Sequence, residues 1–543
     1  MSTDVIVAGG GPVGLLTAAL LDEAGVGVRV FEREAGPSEH PKAVAMHPRT
    51  LEVLTALETG GRRLSDLLVE RGRPAPRAHF AALPEMLDYT GLETPYPFLL
   101  MVPQTRTERM LAGHLRERGV PVHYGHPVTG AEQDETAVRV RAGDGTYEAR
   151  YLVGADGAHS VVRRLAGIGF PGTSPSLTGF VADVELDGPV DEPAHNWHRD
   201  TGSLSILPLP DGQHRLFGTL PPDTGLTPHQ VQARREELGS LSVEGLRAML
   251  RGIIGTDLGV RRTSWLSNAT DSTRNAERYR AGRILIAGDA AHIHLPAGGQ
   301  GLNVGLQDAA NLAWKLAAEH QGWAPSWLVE GPYDYDSERR PVSARLTANT
   351  LAQGVLMHTF TPGGEALRGL FSDLIGRDGD TAQELKGWLS GLDLAYPAPD
   401  GAHPLTGTRA PDLVLTGAPS AGASVAGAPV SGPSGSSLMR ALRQDAFVLA
   451  DFTSEGRYAH LAGRRVGVRS AVRPGVGAWA SPDAVLIRPD GYVAAAAEPS
   501  VAPDAFADEV AHWTTPTTVT PPTSPATQAS PTSPEPVPEP ERG

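Results

Sequence analysis

The sequence predicts an α/β protein of several domains, in which an α/β domain is interrupted by a β-sheet domain and followed by a smaller α/β domain. Residues 4–31 have the pattern of a strand, a glycine turn, a helix and another strand, which is one βαβ unit. Residues 176–270 hold alternating segments punctuated by Pro and Gly, which predicts a mainly β insertion. The α/β pattern then returns in RILIAGDAAHIHLPAGGQGLNVGLQDAANLAWKL, residues 283–316.

The domain boundaries lie where these patterns change. Residues 1–175 and 271–395 are the two parts of the first domain, and residues 176–270 are the insertion. A smaller domain is expected over residues 396–513, where the apolar runs AFVLADF and DAVLIRPDGYV predict strands. Residues 514–543 are rich in Pro, Thr, Ser and Glu, with scarcely an apolar side chain, so a disordered tail is expected there.

The bulk composition excludes several classes of function. A net charge of −15 repels polyanions and no Lys/Arg cluster overrides it, so nucleic acid is not an expected partner. The chain has no cysteine, which excludes disulfides and thiol catalysis, favours a cytoplasmic location and leaves no metal site predicted. The apolar run of residues 5–21 follows Asp4 and is broken by glycines, so neither an export signal nor a membrane partner is expected.

The first candidate site is the motif Gly9-x-Gly11-x-x-Gly14, which follows a strand and opens a helix. Gly9 permits a tight turn, Gly11 lets the backbone approach a pyrophosphate, and Gly14 lets helix and strand pack closely. The free N–H groups of the helix N-terminus favour an anion. Glu32 ends the next strand and is placed to accept hydrogen bonds from a ribose. The motif predicts dinucleotide binding but does not separate NAD from FAD.

A second corner, far along the chain, separates the two cofactors. Asp289 ends an apolar strand and can accept hydrogen bonds from the hydroxyls of a sugar-like chain. The glycine loop of residues 298–301 offers backbone N–H donors to a negatively charged group at the start of a helix. A nicotinamide dinucleotide has no need of this second site, whereas the ribityl chain and the anionic reduced ring of a flavin do. We therefore expect FAD.

The segment VGADGAHSVVRRLAG has two interpretations. Asp156 ends an apolar strand, and Ser160 and Arg163 follow it on a helical turn. Such a corner is a further contact for the cofactor in one interpretation. In the other it is a capped helix start, because Asp and Ser are good N-caps.

Taken together, three segments resemble the FAD-dependent group A aromatic hydroxylases, the p-hydroxybenzoate hydroxylase-like monooxygenases. They are VIVAGGGPVGLLTAALL…VRVFERE, VGADGAHSVVRRLAGIGFPG and GRILIAGDAAHIHLPAGGQGLNVGLQDAANLAWKL, and the resemblance covers residues 1 to about 390. Within that family, PKAVAMHPRTLEVL, PQTRTERML and RNAERYRAGRILIAGDAAH are most similar to the bacterial aromatic polyketide hydroxylases of antibiotic biosynthesis.

The resemblance implies a fold. It implies a Rossmann-like FAD-binding domain of the glutathione-reductase type, with an inserted β-sheet substrate domain. The segments RAPD and LIRPDGY resemble the C-terminal thioredoxin-like domain of the same enzymes. Without cysteine that domain has no thiol redox function, and it is expected to support packing or a dimer. The protein is expected to be a monomer or a homodimer.

The resemblance also implies contacts with FAD, residue by residue. Near the pyrophosphate and the adenosine ribose it implies Gly9, Gly11, Gly14, Glu32 and Arg33. Lys42 stands where relatives commonly carry Arg, and its ammonium cannot make the bidentate phosphate contact of a guanidinium. At the ribityl region it implies Gln104 and Asp289, and for FAD and nicotinamide cofactor handling Asp156. Around the isoalloxazine ring it implies Pro296 and the backbone of Gly298, Gly299, Gly301, Leu302 and Asn303.

The implied reaction uses NADPH or NADH to reduce the flavin and O₂ to form a flavin C4a-hydroperoxide, which hydroxylates a polycyclic aromatic phenol. This chemistry belongs to the flavin, so no catalytic side chain is expected. His47, His292 and His294 are interpreted as packing or hydrogen-bonding residues. The candidate substrate walls are SILPLPDG, RLFGTL and TSWLSNATDS. No inward Arg is identifiable for a small carboxylate-bearing aromatic compound, which favours a bulky, multi-ring phenol.

Other functions stay open at this stage. A flavoenzyme of the same fold could insert oxygen in a Baeyer–Villiger reaction or inactivate an antibiotic by oxidation. The fold also has non-catalytic binding members without flavin, and the intact second glycine loop argues against that alternative.

Overall fold

The computed structural model describes residues 3–39, 42–188, 195–239, 241–416, 436–475 and 477–516. The elements before residue 175 are β1 (Val5–Ala8), α1 (Pro12–Glu23), β2 (Val28–Phe31), β3 (Ala45–Met46), α2 (Pro48–Leu54), β4 (Glu58–Thr59), β5 (Arg62–Arg63), α3 (Leu64–Arg71), β6 (Arg73–Ala75), β7 (Arg77–His79), β8 (Met86–Asp88), β9 (Leu99–Met101), α4 (Gln104–Glu117), β10 (Val122–His123), β11 (Val128–Gln133), β12 (Val138–Ala142), β13 (Gly145–Ala149), β14 (Tyr151–Gly154), α5 (Val161–Leu165) and β15 (Gly172–Thr173).

The inserted segment folds as an antiparallel sheet covered on one face by helices. Its elements are β16 (Thr178–Leu186), β17 (His195–Arg199), β18 (Gly202–Pro208), β19 (Gln213–Thr219), α6 (Pro228–Gly239), α7 (Val243–Ile254) and β20 (Val260–Thr270). The strand order is β17-β18-β19-β16-β20. The sequence predicted the strands but not the two helices. In α7 the spacing of Leu246, Leu250 and Ile253 is helical, and all three are buried against the sheet.

The segment that follows returns to the first domain. Its elements are β21 (Thr273–Asn275), β22 (Arg280–Ala281), β23 (Ile284–Ile286), β24 (His292–Ile293), α8 (Gln300–His320), α9 (Ser326–Val329), α10 (Tyr335–His358), α11 (Pro362–Gly376) and α12 (Asp380–Ser390). The helices α8 and α10 have 21 and 24 residues. No described helix combines the length and the apolar character needed to cross a membrane.

The central sheet unites the two separated segments. Its strand order is β10-β2-β1-β14-β23-β22, and the strands from β10 to β23 run parallel. Parallel strands are buried on both faces, which explains the continuous apolar runs VIVA in β1 and ILI in β23. Because β1, β14 and β23 end at the same edge, the turns that follow these strands meet there. The predicted α/β class is confirmed.

The C-terminal segment forms a separate six-stranded sheet. Its elements are β25 (Val414–Thr416), β26 (Ser436–Ser437), α13 (Leu438–Ala441), β27 (Phe447–Asp451), β28 (Val466–Ala471), β29 (Ala484–Ile487), β30 (Val493–Ala497) and α14 (Pro503–Thr514). The strand order is β26-β25-β28-β27-β29-β30, with β27 and β28 parallel. Phe447 packs edge-on against Trp314 of α8, with ring centroids 5.8 Å apart. Of the tail predicted over residues 514–543, the part from residue 517 onward lies outside the described residues.

Candidate active site

The first glycine turn joins β1 to α1 and leaves the helix N-terminus open. Gly9 has a φ of +113°, and a Cβ at this position would lie 2.2 Å from the carbonyl oxygen of Ala155. A Cβ at Gly14 would lie 2.0 Å from the carbonyl oxygen of Gly9, so helix and strand pack too closely for any side chain. Gly11 is the N-cap of α1, no side chain caps the helix, and the space beside Gly11 is open. An anion can therefore approach these N–H groups.

Glu32 lies against this turn, as its position after β2 predicted. Its carboxylate accepts hydrogen bonds from the backbone N–H groups of Gly10 and Glu34. Arg33 is exposed and pairs with Glu34 at 3.1 Å. Glu32 therefore has the position of a ribose acceptor, and its assigned role remains a prediction.

Asp289 lies in the turn after β23 and faces a cavity. Its side chain is accessible from that cavity but is otherwise surrounded by protein, and this desolvation raises the pKa of the carboxyl. His292 and Lys42 lie close enough to oppose the shift. A carboxyl in this position can accept hydrogen bonds from ligand hydroxyls.

A buried ion pair holds the Asp289 turn from behind. Asp308 of α8 accepts hydrogen bonds from the backbone N–H of Gly288 at 3.1 Å and from Nε2 of His292 at 2.8 Å. The other oxygen of Asp308 pairs with Nε of Arg339, in α10, at 2.7 Å. Burial alone would raise the pKa of Asp308, but Arg339 and His292 outweigh it and lower that pKa. The turn is thereby fixed to two helices.

The second glycine loop precedes α8 in a left-handed conformation. Gly298 and Gly299 have φ values of +66° and +65°, and a Cβ at Gly299 would lie 2.8 Å from the Cβ of Ala45. No side chain caps α8, so the first N–H groups of this helix are available to a ligand. The residues of this loop and of the first turn of α8 that line the cavity are Pro296, Gly298, Gly299, Gln300, Gly301 and Leu302.

Asn303 lies behind this loop rather than at the cavity. Its Nδ2 donates to the carbonyl oxygens of Ala45 at 2.9 Å and Gly299 at 2.7 Å, and its Oδ1 accepts the backbone N–H of His47 at 2.8 Å. The Asn303 side chain is therefore used within the protein, and the contact of its backbone with the isoalloxazine ring stays a prediction. Its contacts tie the loop to β3.

Asp156 adopts the capping geometry. One carboxylate oxygen accepts the backbone N–H groups of Val161 at 2.7 Å and Val162 at 3.1 Å, and the other accepts the hydroxyl of Ser160. Gly157 lines the cavity, whereas Asp156 does not. The geometry therefore matches the helix-cap interpretation, and contact with a nicotinamide cofactor stays a prediction.

Gln104 and Lys42 both line the cavity between the two corners. Gln104 begins α4, and its Nε2 donates to Glu108 at 2.7 Å while its Oε1 accepts the N–H of Ala43 at 3.3 Å. Lys42 is exposed. These placements are compatible with the cofactor contacts assigned to the two residues.

The remaining histidines of the motifs are hydrogen-bonded within the protein. Nε2 of His47 donates to the carbonyl oxygen of Gly298 at 2.8 Å, and Nδ1 of His294 donates to the carbonyl oxygen of Leu295 at 2.6 Å. Burial lowers the pKa of His47 and of His294 to about 4 in each case. Both rings are therefore neutral at pH 7.

One cavity of about 430 Å³ joins the two glycine corners. Gly11 and Pro12 of the first corner line it together with Asp289 and Gly299 of the second. Its volume lies in the range of roughly 300–1,000 Å³ that small-molecule sites occupy. N–H donors at two helix ends, carboxylate acceptors for hydroxyl groups and apolar walls together fit FAD.

The inserted sheet supplies the opposite wall. Along β18, Leu204 and Ile206 are in the core beneath the helices, while Ser205 and Leu207 line the cavity, as strand alternation requires. The three segments predicted as substrate walls, SILPLPDG, RLFGTL and TSWLSNATDS, each contribute residues to this wall of the cavity. We call the following residues the insertion wall: Leu177, Gly179, Phe180, Val181, Ser205, Leu207, Phe217, Gly218, Thr219 and Ala269. No member of the insertion wall carries a charge.

Other lining residues had no motif to mark them. Ala78, His79, Leu99 and Met101 reach the cavity from β7 and β9. Their short apolar segments are indistinguishable in sequence from core strands. The one available signal was a lone His in the apolar run AHFAAL.

Comparison with known proteins identifies the family. The family model "FAD binding domain" matches residues 2–350, and "Aromatic-ring hydroxylase, C-terminal" matches residues 403–516. The 12-dehydrotetracycline 5-monooxygenase/anhydrotetracycline 6-monooxygenase of Streptomyces rimosus is 37% identical over 526 residues, which cover 94% of this chain and 99% of that protein. The rifampicin monooxygenase of Streptomyces venezuelae is 38% identical over 421 residues, covering 76% and 83% of the two chains.

A solved structure agrees with these relatives. The anhydrotetracycline hydroxylase OxyS from Streptomyces rimosus superposes with a TM-score of 0.79 at 35% identity, covering 95% of this chain and 99% of that one. The predicted resemblance is confirmed. The chain belongs to the family of FAD-dependent aromatic-ring hydroxylases and is an FAD-dependent monooxygenase.

Proposed function

We propose that the protein hydroxylates a bulky, multi-ring phenolic substrate of the polyketide type, with O₂ as the oxygen source and NAD(P)H as the electron donor. The insertion wall carries this proposal, because it is uncharged and belongs to the same cavity as Gly298 and Gly299. A small aromatic carboxylate needs a cation in its site. The buried guanidinium of the inserted sheet, Arg215, is instead paired with Asp183.

The residues present fit FAD, which when bound supplies the redox chemistry and activates O₂. We assign the pyrophosphate to the open N-terminus of α1 at Gly11, and the adenosine ribose to Glu32 with Arg33 beside it. The ribityl hydroxyls are assigned to Gln104 and Asp289. The isoalloxazine ring is assigned to the loop before α8.

The chain itself supplies charge stabilisation and a dry site. The free N–H groups at the start of α8 carry a partial positive charge, which favours negative charge on a ring bound there. The uncharged and mostly apolar insertion wall excludes water from the reacting atoms. His47 and His294 are neutral and hydrogen-bonded to backbone, so neither is assigned as a base.

Two relatives support the substrate class. They are named for anhydrotetracycline and for rifampicin, and both match most of this chain. The similarity to the rifampicin enzyme also favours a second candidate function, either a Baeyer–Villiger oxygen insertion or the oxidative inactivation of an antibiotic. Both candidate functions use the same cavity, and they differ in the product that is formed.

We further infer the finer architecture. The split domain is assigned to the glutathione-reductase type of FAD-binding fold, the inserted sheet to a substrate domain, and the C-terminal domain to a thioredoxin-like fold. The parallel pair β27–β28 beside the antiparallel pair β29–β30 supports the last assignment. With no cysteine in the chain, a packing role is the one assigned to that domain.

The function is tested by anaerobic stopped-flow reduction of the FAD-loaded protein with NADPH and with NADH, in the presence and absence of anhydrotetracycline. We expect the phenol to accelerate flavin reduction. In air, the product should gain one oxygen atom, and NMR should show a new ring hydroxyl. A ring-expanded ester would favour the Baeyer–Villiger route, and unaltered reduction with no product would count against both.

Ser205→Trp tests the insertion wall directly, because its indole would fill the cavity from β18. We expect this variant to retain FAD but to lose the acceleration by anhydrotetracycline. Ser454→Trp, at an exposed position of the C-terminal domain, is the control, because this residue does not line the cavity. Full acceleration in Ser205→Trp would show that the substrate lies elsewhere.

A further inference from the structure

His79 ends β7 on the cavity wall, and the turn after it has a backbone conformation that alanine rarely adopts. Ala81 and Ala82 both have a φ of +50°, in the left-handed region. A side chain in that region is disfavoured by contact between its Cβ and the backbone, and consecutive residues of this kind persist only where the surroundings hold them. Strained turns of this kind cluster at functional sites.

Two buried side chains hold the turn. Oε1 of Gln353, in α10, accepts the backbone N–H of Ala81 at 3.0 Å. Arg368, in α11, donates to the carbonyl oxygens of Ala81 at 3.3 Å, Ala82 at 2.9 Å and Leu356 at 2.6 Å. Gln353 and Arg368 are both buried. Burying the guanidinium of Arg368 among backbone carbonyls costs free energy. The contacts therefore specify one shape for this turn.

The turn also selects one tautomer of His79. The backbone N–H of Ala82 donates to Nδ1 of the ring at 3.2 Å, so Nδ1 is the acceptor and the proton of the neutral ring lies on Nε2. Burial lowers the pKa of His79 to about 4, which keeps the ring neutral at pH 7. Among the described residues, none accepts a hydrogen bond from Nε2.

His79 is close to the loop assigned to the isoalloxazine ring. Gln353, which holds the turn, has its Oε1 3.7 Å from the position that a Cβ would take at Gly298. His47 lies within electrostatic range of His79 and donates to the carbonyl oxygen of Gly298. The cavity that His79 lines is the same one that the insertion wall closes.

We propose that His79 is a specificity-determining residue, whose Nε2–H donates a hydrogen bond to a ring hydroxyl or ring carbonyl oxygen of the substrate. A neutral donor held rigidly on a largely apolar wall orients a multi-ring ligand without selecting for charge. The inference rests on the proposed function, because it requires an aromatic ligand in this cavity. It adds a polar contact that no sequence motif indicates.

The test compares two ligands that differ in oxygen. The FAD-loaded protein is titrated with 1-hydroxyanthraquinone and with anthracene, which shares the three rings but has no oxygen, and binding is followed through the flavin absorbance. His79→Phe keeps a planar ring and removes the donor. We expect it to weaken binding of 1-hydroxyanthraquinone about fivefold to tenfold and to leave anthracene binding unchanged.

Further variants separate recognition from structure. His79→Gln carries an amide N–H that can reach the Nε2 position, and it should restore most of the preference for 1-hydroxyanthraquinone. His460→Phe, at an exposed position in the C-terminal domain, is the matched control and should bind both ligands as the wild type does. If His79→Phe fails to retain FAD, His79→Asn replaces it, because Asn keeps an acceptor for Ala82 but sets its N–H back from the cavity.

The outcomes distinguish the two proposals. Wild-type affinity of His79→Phe for 1-hydroxyanthraquinone would overturn the assignment of His79 and leave the proposed function intact. Failure of the wild-type protein to bind either ligand would overturn the multi-ring substrate and this inference with it. An equal loss of both ligands in His79→Phe and His79→Gln would show a structural role and would also overturn the assignment.

Discussion

Arg488 of the C-terminal domain and Glu338 of α10 form a buried, bidentate ion pair between the two α/β domains, with distances of 2.7 and 2.8 Å. Asp490 accepts from the same guanidinium at 2.6 and 3.0 Å, and Lys315 of α8 pairs with Glu338 at 2.5 Å. All four residues are buried. The motif LIRPDGY therefore reaches into the FAD-binding domain.

This cluster continues to the Asp289 turn along one face of α8. Asn311 donates to Glu338 at 2.7 Å and to Asp490 at 3.2 Å. Asp308 lies one turn before it and holds the backbone N–H of Gly288. The C-terminal domain thus contacts the helix whose other end opens on the cavity, which gives a cysteine-free domain a physical role.

Replacing Arg488 should destabilise the protein through this interface. Arg488→Met leaves Glu338 and Asp490 buried with fewer partners, and breaking a buried ion pair of this kind costs about 3 kcal/mol. We expect lower resistance to urea, measured by tryptophan fluorescence, and weaker binding of FAD. Arg464→Met, at an exposed position of the same domain, should change neither property. Wild-type stability of Arg488→Met would contradict the role given to the cluster.

Glu338 should make stability depend on pH in the acid range. Burial alone would raise the pKa of Glu338, but Arg488 and Lys315 outweigh it and lower the pKa from 4.5 to about 2. A carboxyl with a depressed pKa contributes stability above its unfolded pKa, and this contribution is lost as the pH falls from about 4.5 towards 2. In urea unfolding between pH 5.5 and 3, the free energy of unfolding of Glu338→Gln should fall less steeply with decreasing pH than that of the wild type. The same pH dependence in both proteins would argue against the lowered pKa of Glu338.

The glycine corners were predictable because their constraints are local. Gly9 needs a positive φ and Gly14 a close approach of backbone, so each position leaves a mark in the sequence. The strand expected at residues 28–31 is β2, with those bounds. The convergence of the corners follows from the parallel pairing of β14 with β1 on one side and with β23 on the other.

The cavity walls were harder to predict because they depend on contacts between distant segments. His79 and Met357 line one cavity although they belong to β7 and α10. Nothing in their local sequence separates them from core residues. Asp156 shows the opposite difficulty, since a helix cap and a cofactor ligand use the same residue after the same kind of strand.

Removing the Asp289 carboxylate should release FAD without unfolding the protein. Asp289→Ala deletes an acceptor that faces the cavity, while the Asp308–Arg339 pair that holds the turn is untouched. We expect the dissociation constant for FAD, measured by flavin fluorescence, to rise at least about tenfold. Asp144→Ala, at an exposed turn, is the control. Full FAD occupancy in Asp289→Ala would contradict the assignment of the ribityl site.

We expect FAD binding to depend more on the close packing at Gly299 than on its left-handed conformation alone. Gly299→Ala combines a left-handed φ with a Cβ 2.8 Å from that of Ala45, whereas Gly25→Ala has a φ of +78° in open space. Both substitutions carry a strain of about 1 kcal/mol. We expect both to lower the melting temperature and only Gly299→Ala to weaken FAD binding. Equal effects on FAD would show that the loop tolerates a side chain.

Two truncations test where the C-terminal domain ends. The sequence predicts a tail from residue 514, and α14, which ends at Thr514, buries Phe506, Val510 and Trp513. Deleting residues 517–543, which are polar and rich in Pro, should leave turnover and melting temperature unchanged. Deleting residues 503–543 removes three buried apolar side chains, each of which contributes about 2–3 kcal/mol on burial, and should destabilise the domain strongly. A large loss of activity in the shorter deletion would instead give the tail a function.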